Sequence, residues 1–224
     1  IPLLTRSGWF HAGALGTILW AALGWRGWLS VVVYLFLGSL VTRLGFKSKT
    51  KYGLAEGRGG RRGPENVWGS AATGALLSIL IKLGVGSEQI LLVGFAASFA
   101  AKLADTFGSE IGKRWGKRTI LITTLRPVPV GTDGAISVEG TLASAFGSLF
   151  MTATVVALSI VPSMSLALIV FCSGLISTLL ESLLGALAQD KFSWLSNELV
   201  NGLQTFWAAL LAILFAVCTS LPIQ

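Results

Sequence analysis

KLADTFGSEIGKRWGKRTILITTLRPVPVGTDGAISVEGTLAS, residues 102–144, decides how the rest of this chain is read. It opens inside an apolar helix and leaves it through two acids, Asp105 and Glu110. A basic, glycine-punctuated loop follows, and the chain re-enters apolar sequence past Asp133 and Glu139. Acids and cations are thus gathered between two candidate membrane spans. Carboxylates at a membrane edge can hold a divalent cation through oxygen ligands. Nearby Lys, Arg and glycine-rich backbone can hold phosphates. Together they point to phosphate chemistry on a lipid.

Composition places the chain in a membrane. Of 224 residues 53% are hydrophobic and 12% charged, against about 25% charged in a soluble domain. Mean hydropathy is +0.76. A net charge of +7 would suit nucleic acid, but the cations lie in two interhelical loops, the pattern of a positive-inside membrane protein. Nucleic acid is therefore not expected as a partner; membrane lipids are. Cys172 and Cys218 both sit in apolar runs, which argues against a disulfide framework.

Working outward, seven candidate spans cover residues 8–23, 29–44, 64–83, 88–107, 141–161, 165–188 and 199–221, each near the roughly 20 residues a bilayer requires. The fold expected is all-α and polytopic, one integral membrane domain over residues 1–224. ILITT and AISV can pair as a short hairpin around the VGTDG turn. Cations concentrate after the second and fourth spans. The loops there should face the cytoplasm or its equivalent, which puts the N-terminus inside and the C-terminus outside. Asp105, Glu181 and Asn197 then lie near one inner face, although they belong to three different spans.

Ionisable groups inside spans are expensive and functional by default. Ser98, Lys102, Asp105 and Ser109 follow helical spacing. Lys102 and Asp105 either neutralise each other or serve a site. Glu110 does not share the Asp105 face of a regular helix, and Gly108 offers a place for the helix to end or bend. The sixth span carries Ser177, Glu181 and Ser182 among small residues that permit close helix packing. Asn197 and Asn201 open the seventh, where interhelical bonding and substrate contact are both open readings. The segment GRGGRRGPEN sets Arg58, Arg61 and Arg62 before a helix N-terminus carrying Glu65 and Asn66. Arginine forks, glycine backbone and helix dipole together favour a phosphate; topology and anionic headgroups alone account for such a run equally well. Asp133 can be a turn residue. With one histidine, His11, and two dispersed cysteines, a zinc site or a Cys–His pair has little support. No Walker A pattern is present.

RRGPENVWGSAATG, DTFGSEIGK, VPVGTDGAISVEGTLAS and LLESLLGALAQ resemble the phytyl-phosphate kinase family of the vitamin E pathway. More remotely, the stretch from Asp105 to Lys113 and the following glycine-rich loop resemble CTP-dependent polyprenol and dolichol kinases and phosphatidate cytidylyltransferases. The family-like segments run from about residue 57 to 201. Glu181 departs from an Asp expected in that motif, keeping the carboxylate on a longer arm. The chain begins at Ile1 without a methionine, which leaves a preceding segment an open question. The resemblance implies CTP-dependent phosphorylation of an isoprenyl monophosphate to a diphosphate for tocopherol synthesis, in a cyanobacterial-type inner membrane or a plastid envelope. It assigns Asp105, Glu110 and Glu181 to Mg²⁺, with Lys113 beside them in catalysis. Arg58, Arg61, Arg62, Glu65, Asn66, Arg126, Thr132, Asp133, Gly134, Ser137, Glu139 and Thr141 go to nucleotide and phosphates. Ser109, Ser182, Asn197 and Asn201 go to the lipid substrate. A lipid cytidylyltransferase releasing pyrophosphate and a transporter of anionic isoprenoids are the rival readings.

Overall fold

The computed structural model describes residues 3–189 and 191–220. The chain forms α1 (Arg6–Arg43), a short α2 (Phe46–Lys51), a 3-10 turn (Arg58–Gly60), α3 (Pro64–Lys82) and α4 (Glu88–Trp115). Strands β1 (Ile120–Leu121) and β2 (Ala135–Ile136) follow. Then come α5 (Val138–Ala157), α6 (Met164–Leu184) with a π-helical turn (Gly185–Gln189), and α7 (Asn197–Ser220). This is an all-α polytopic membrane protein.

Five helices are long and apolar enough to cross a membrane: α1, α4, α5, α6 with its π turn, and α7. The first two expected spans are the two arms of α1. Between them Gly24 takes φ 66° and ψ −162°, a region essentially reserved for glycine. The arms fold back on each other, and the rings of Trp20 and Trp28 meet edge-on at 5.6 Å. Helix α3 has 19 residues, but its polar first turn, Pro64, Glu65 and Asn66, keeps it out of the apolar set. The count of seven is therefore approximate. The expected end of the last span at Leu221 lies outside the described residues.

Helix α4 is the axis of the bundle. Phe95, Phe99, Leu103 and the alanines between them have no exposure, and α1, α3, α5, α6 and α7 all pack on it. A helix apolar on every side belongs inside. It runs without a break to Trp115, eight residues beyond the expected end at Phe107. Gly108 neither bends nor stops it. Its use is close approach: a Cβ on Gly140 of α5 would stand 2.9 Å from Gly108 O, and one on Gly147 2.8 Å from Leu103 O. Small residues at such crossings let backbones meet in lipid.

Local chemistry sets the helix starts. Thr5 and Ser137 accept from the Gly8 and Gly140 amides at 3.0 and 3.1 Å, the side-chain caps that orphan N–H groups need. Pro64 occupies the first turn of α3, where its missing N–H costs nothing, and Asn66 Oδ1 accepts from Gly63 N at 3.0 Å. The expected hairpin is present but short, with Ile120 opposite Ile136 and Leu121 opposite Ala135. Its turn lies on the end of α6, where a Cβ on Gly185 would come within 3.0 Å of Gly134 N. The chain's beginning is pinned to the arginine loop: Thr5 N donates to Arg62 O at 3.0 Å and Arg62 N to Leu3 O at 3.1 Å.

Candidate active site

The end of the bundle that gathers the basic loops holds a polar cavity of about 570 Å³. Each wall comes from a different element. Helix α4 supplies Lys102, Asp105, Ser109, Glu110 and Lys113; α6 supplies Glu181 and Ser182; α7 supplies Asn197 and Asn201. The arginine loop contributes Arg58, Arg61, Arg62 and Asn66, and the hairpin side contributes Thr132, Asp133, Gly134, Ser137 and Thr141. These expected residues, scattered over most of the chain, are brought together. Glu65, Arg126 and Glu139 are not among the lining residues. Glu65 pairs with Arg58, Arg126 sits on the hairpin where its amide donates to Thr124 Oγ1 at 3.4 Å, and Glu139 accepts from Lys117 N at 3.4 Å.

At the centre Lys102, nearly fully buried, donates to Asp105 and to Asn201 Oδ1 at 2.8 Å. The expected pairing is present, and both residues also line the cavity. Glu181 faces this pair across the α4–α6 contact and lies in the field of Asp105 and Asp133, with Lys102 opposing them. Acids clustered on facing elements are held together by cations.

Glu110 does not join them. It forms an ion pair with Lys49 of α2, both almost without exposure, while Lys49 also donates to Thr42 O at 2.7 Å. The other Glu110 oxygen lies 4.0 Å from Lys113. Glu110 is thus held between two lysines of the protein itself, and the expected triad of Asp105, Glu110 and Glu181 is not gathered as one set of three. Among the described residues no three His, Cys, Asp or Glu side chains converge on one point. Lys113 in turn bonds Glu56 at 3.2 Å. Removing either partner of the Lys49–Glu110 pair alone leaves an uncompensated buried charge, worth about 3–5 kcal/mol.

The arginines divide by their partners. Arg58 spans Glu65 and Asn66 Oδ1, the latter at 3.2 Å, and Asn66 Nδ2 passes on to Glu198 at 3.2 Å. Arg62 donates to Tyr34 OH at 2.6 Å, with its Cζ 5.3 Å from that ring's centre. Among the described residues Arg61 bonds through Nε to Arg58 O at 3.0 Å, and its terminal nitrogens have no carboxylate partner. Lys49, Tyr34 and Glu56 escaped the sequence reading. Lys49 looked like one more loop cation, and Tyr34 lies within an apolar run. Gln204 is wholly buried and donates to Ala101 O at 3.1 Å and to Thr178 Oγ1 at 3.2 Å, which locks α7 against α4 and α6. Only long-range partners mark Lys49, Tyr34 and Glu56. His11 accepts from Trp68 Nε1 at 2.9 Å, and both cysteines are free.

The profile of the integral membrane protein family DUF92 matches residues 2–209. The chain belongs to this family. It is 51% identical to a membrane protein of Synechocystis sp. over 94% of its own length and 82% of that protein's. It is 42% identical to Protein VTE6, chloroplastic, of Arabidopsis thaliana over 94% of its length, covering 65% of the plant protein. A membrane protein of Methanocaldococcus jannaschii is 31% identical over 96% of the chain and 87% of its own. No solved structure matches. These relationships fit the phytyl-phosphate kinase family that the motifs resemble.

Proposed function

We propose that this DUF92 protein is a CTP-dependent kinase that phosphorylates an isoprenyl monophosphate, phytyl phosphate, at the cytoplasmic face or its equivalent, for tocopherol synthesis. The observation that carries this reading is the cavity itself: facing carboxylates, buried and loop cations, and a glycine-containing turn line one space at the mouth of a membrane bundle. An oxygen of the acceptor phosphate attacks the γ-phosphorus of CTP. The new P–O bond forms as the bond to the β,γ-bridging oxygen breaks, and CDP leaves. The acceptor is itself the nucleophile, so the protein needs no covalent one. Its work is positioning and charge neutralisation.

Mg²⁺ fits this donor set. It prefers one or two carboxylates and completes its shell with substrate phosphates and water, and Asp105 with Glu181 is such a pair. When bound it supplies charge neutralisation across the phosphate oxygens. Lys102 holds Asp105 and Asn201 in register, Lys113 and Arg61 offer cations to the phosphates, and Thr132, Gly134, Ser137 and Thr141 line the nucleotide side. Ser109, Ser182 and Asn197 sit where the acceptor head would enter.

The test is turnover by the purified protein in vesicles. Phytyl phosphate is supplied with each of CTP, ATP, GTP and UTP, with Mg²⁺ or a chelator. CDP and phytyl diphosphate are expected, from CTP and only with Mg²⁺. Pyrophosphate with a CMP-linked lipid would instead make it a cytidylyltransferase. Uptake without turnover would make it a transporter.

A further inference from the structure

A second cavity of about 530 Å³, mostly apolar, lies between the two arms of α1 and the start of α3. Its walls follow helical stripes. Trp9, Gly13, Gly16 and Trp20 line it from the first arm at steps of four, three and four residues; Trp28, Val31 and Leu35 line it from the second. From Trp9 to Ala21 the groove follows about 18 Å of helix. Three residues, Arg62, Asn66 and Ser70, line both this groove and the polar cavity. At that junction the guanidinium of Arg62 rests on Tyr34, itself a wall of the groove. A greasy slot thus ends at an arginine on the rim of the polar chamber.

We infer that this groove holds the hydrocarbon tail of an anionic phosphate monoester whose head lies in the polar cavity, with Arg62 at the junction of head and tail. The inference rests on the proposed function for the identity of the head, but the assignment of the groove stands on the shared walls. Charge complementarity selects the occupant. A zwitterionic membrane lipid brings a choline or ethanolamine cation to a rim that already carries Arg58, Arg61 and Arg62, whereas a phosphate monoester brings the opposite charge. Bilayer hydrocarbon is as apolar as the groove walls, so the groove selects a tail by its shape and not by taking it out of water. Gly13 is the natural place to intervene. A Cβ there would meet nothing within 4 Å, so an added side chain starts in open space beside the groove it lines.

The experiment uses the full chain in nanodiscs and a C20 isoprenyl monophosphate with a diazirine at its tail tip. Photolysis should label α1 and the first turns of α3, and unlabelled phytyl phosphate should suppress that labelling. Gly13→Phe should abolish this labelling, because the ring takes up the space the tail would occupy. It should also raise KM for phytyl phosphate. Labels confined to α5 and α6 would overturn the assignment. So would equal labelling by a tail-diazirine phosphatidylcholine that phytyl phosphate does not displace, which would make the groove an ordinary lipid contact. Cross-linking needs no turnover. Labelling of the groove by a protein without kinase activity would therefore sink the proposed function and keep the tail site, and the wild-type labelling decides the matter even if Gly13→Phe fails to fold.

Discussion

Two carboxylates and one arginine carry the most at the scale of single residues. Asp105 and Glu181 face each other across α4 and α6, and Glu110 is withdrawn to Lys49. Asp105→Asn and Glu181→Gln should each lower Mg²⁺-dependent turnover by at least about a hundredfold, the scale of removing one preorganised charge from a transition-state site. Monodisperse elution should be unchanged. Near wild-type turnover in both at saturating Mg²⁺ would remove them as metal ligands; loss of folding in Asp105→Asn alone would reduce Asp105 to a partner of Lys102. Arg61 discriminates between phosphate binding and topology better than Arg62 does. Arg62→Lys forfeits the Tyr34 hydrogen bond and the ring contact whatever the cavity holds. Arg61→Lys keeps the charge and loses the fork. One charge-assisted hydrogen bond is worth roughly 1.5–3 kcal/mol, so kcat/KM should fall by at least about tenfold. A change within about twofold would return Arg61 to the positive-inside rule, which counts charge and not its shape.

At the scale of elements, the fold-back of α1 depends on one backbone conformation. Gly24 sits where a side chain is strained even though a Cβ would touch nothing within 4 Å. Gly24→Ala should cost about 1–3 kcal/mol through the backbone alone. Gly13 is equally open but helical, so Gly13→Ala should be neutral or stabilising by about 0.5–1 kcal/mol. Thermal unfolding of the two variants in the same detergent measures the difference. Equal midpoints would show that the turn is not held at this φ. The element α2 teaches a related point. Six residues rich in lysine read as a solvated loop, yet Lys49 is buried because α4 runs long enough to bring Glu110 to it.

For the whole molecule, charge distribution and the cavity make one topological statement. The arginine loop, the hairpin and the ends of α4, α6 and α7 that carry Asp105, Glu181 and Asn197 all lie at one end of the bundle. The positive-inside rule predicts that this end faces the cytoplasm or its equivalent. A cysteine in place of Arg58 or Lys117, in a background where Cys172 and Cys218 are replaced by serine, should react with an impermeant maleimide only after the inner side is opened. Reaction of either from the outside of sealed vesicles would place the cavity, and any CTP it uses, on the wrong side of the membrane.

The sequence by itself determined the class, the hairpin, the stretch around which the site is built and most of its lining residues. Hydropathy over spans, loop charge and turn chemistry are local properties, and the DTFGSEIGK and VGTDG motifs carry their residue types in order. Only the tertiary structure decided which charges are used up and which remain. Glu110 and Asp105 are equally acidic on paper, but one meets Lys49 from 61 positions away and the other meets Lys102, which itself bonds Asn201 of α7. Likewise α4 past Phe107 packs closely on Gly140 of another helix. The continuity of the apolar groove with the polar cavity depends on Arg62 reaching Tyr34 across 28 positions. Ion pairs, close helix crossings and shared cavity walls are long-range contacts, and no local pattern of side chains encodes which partner arrives.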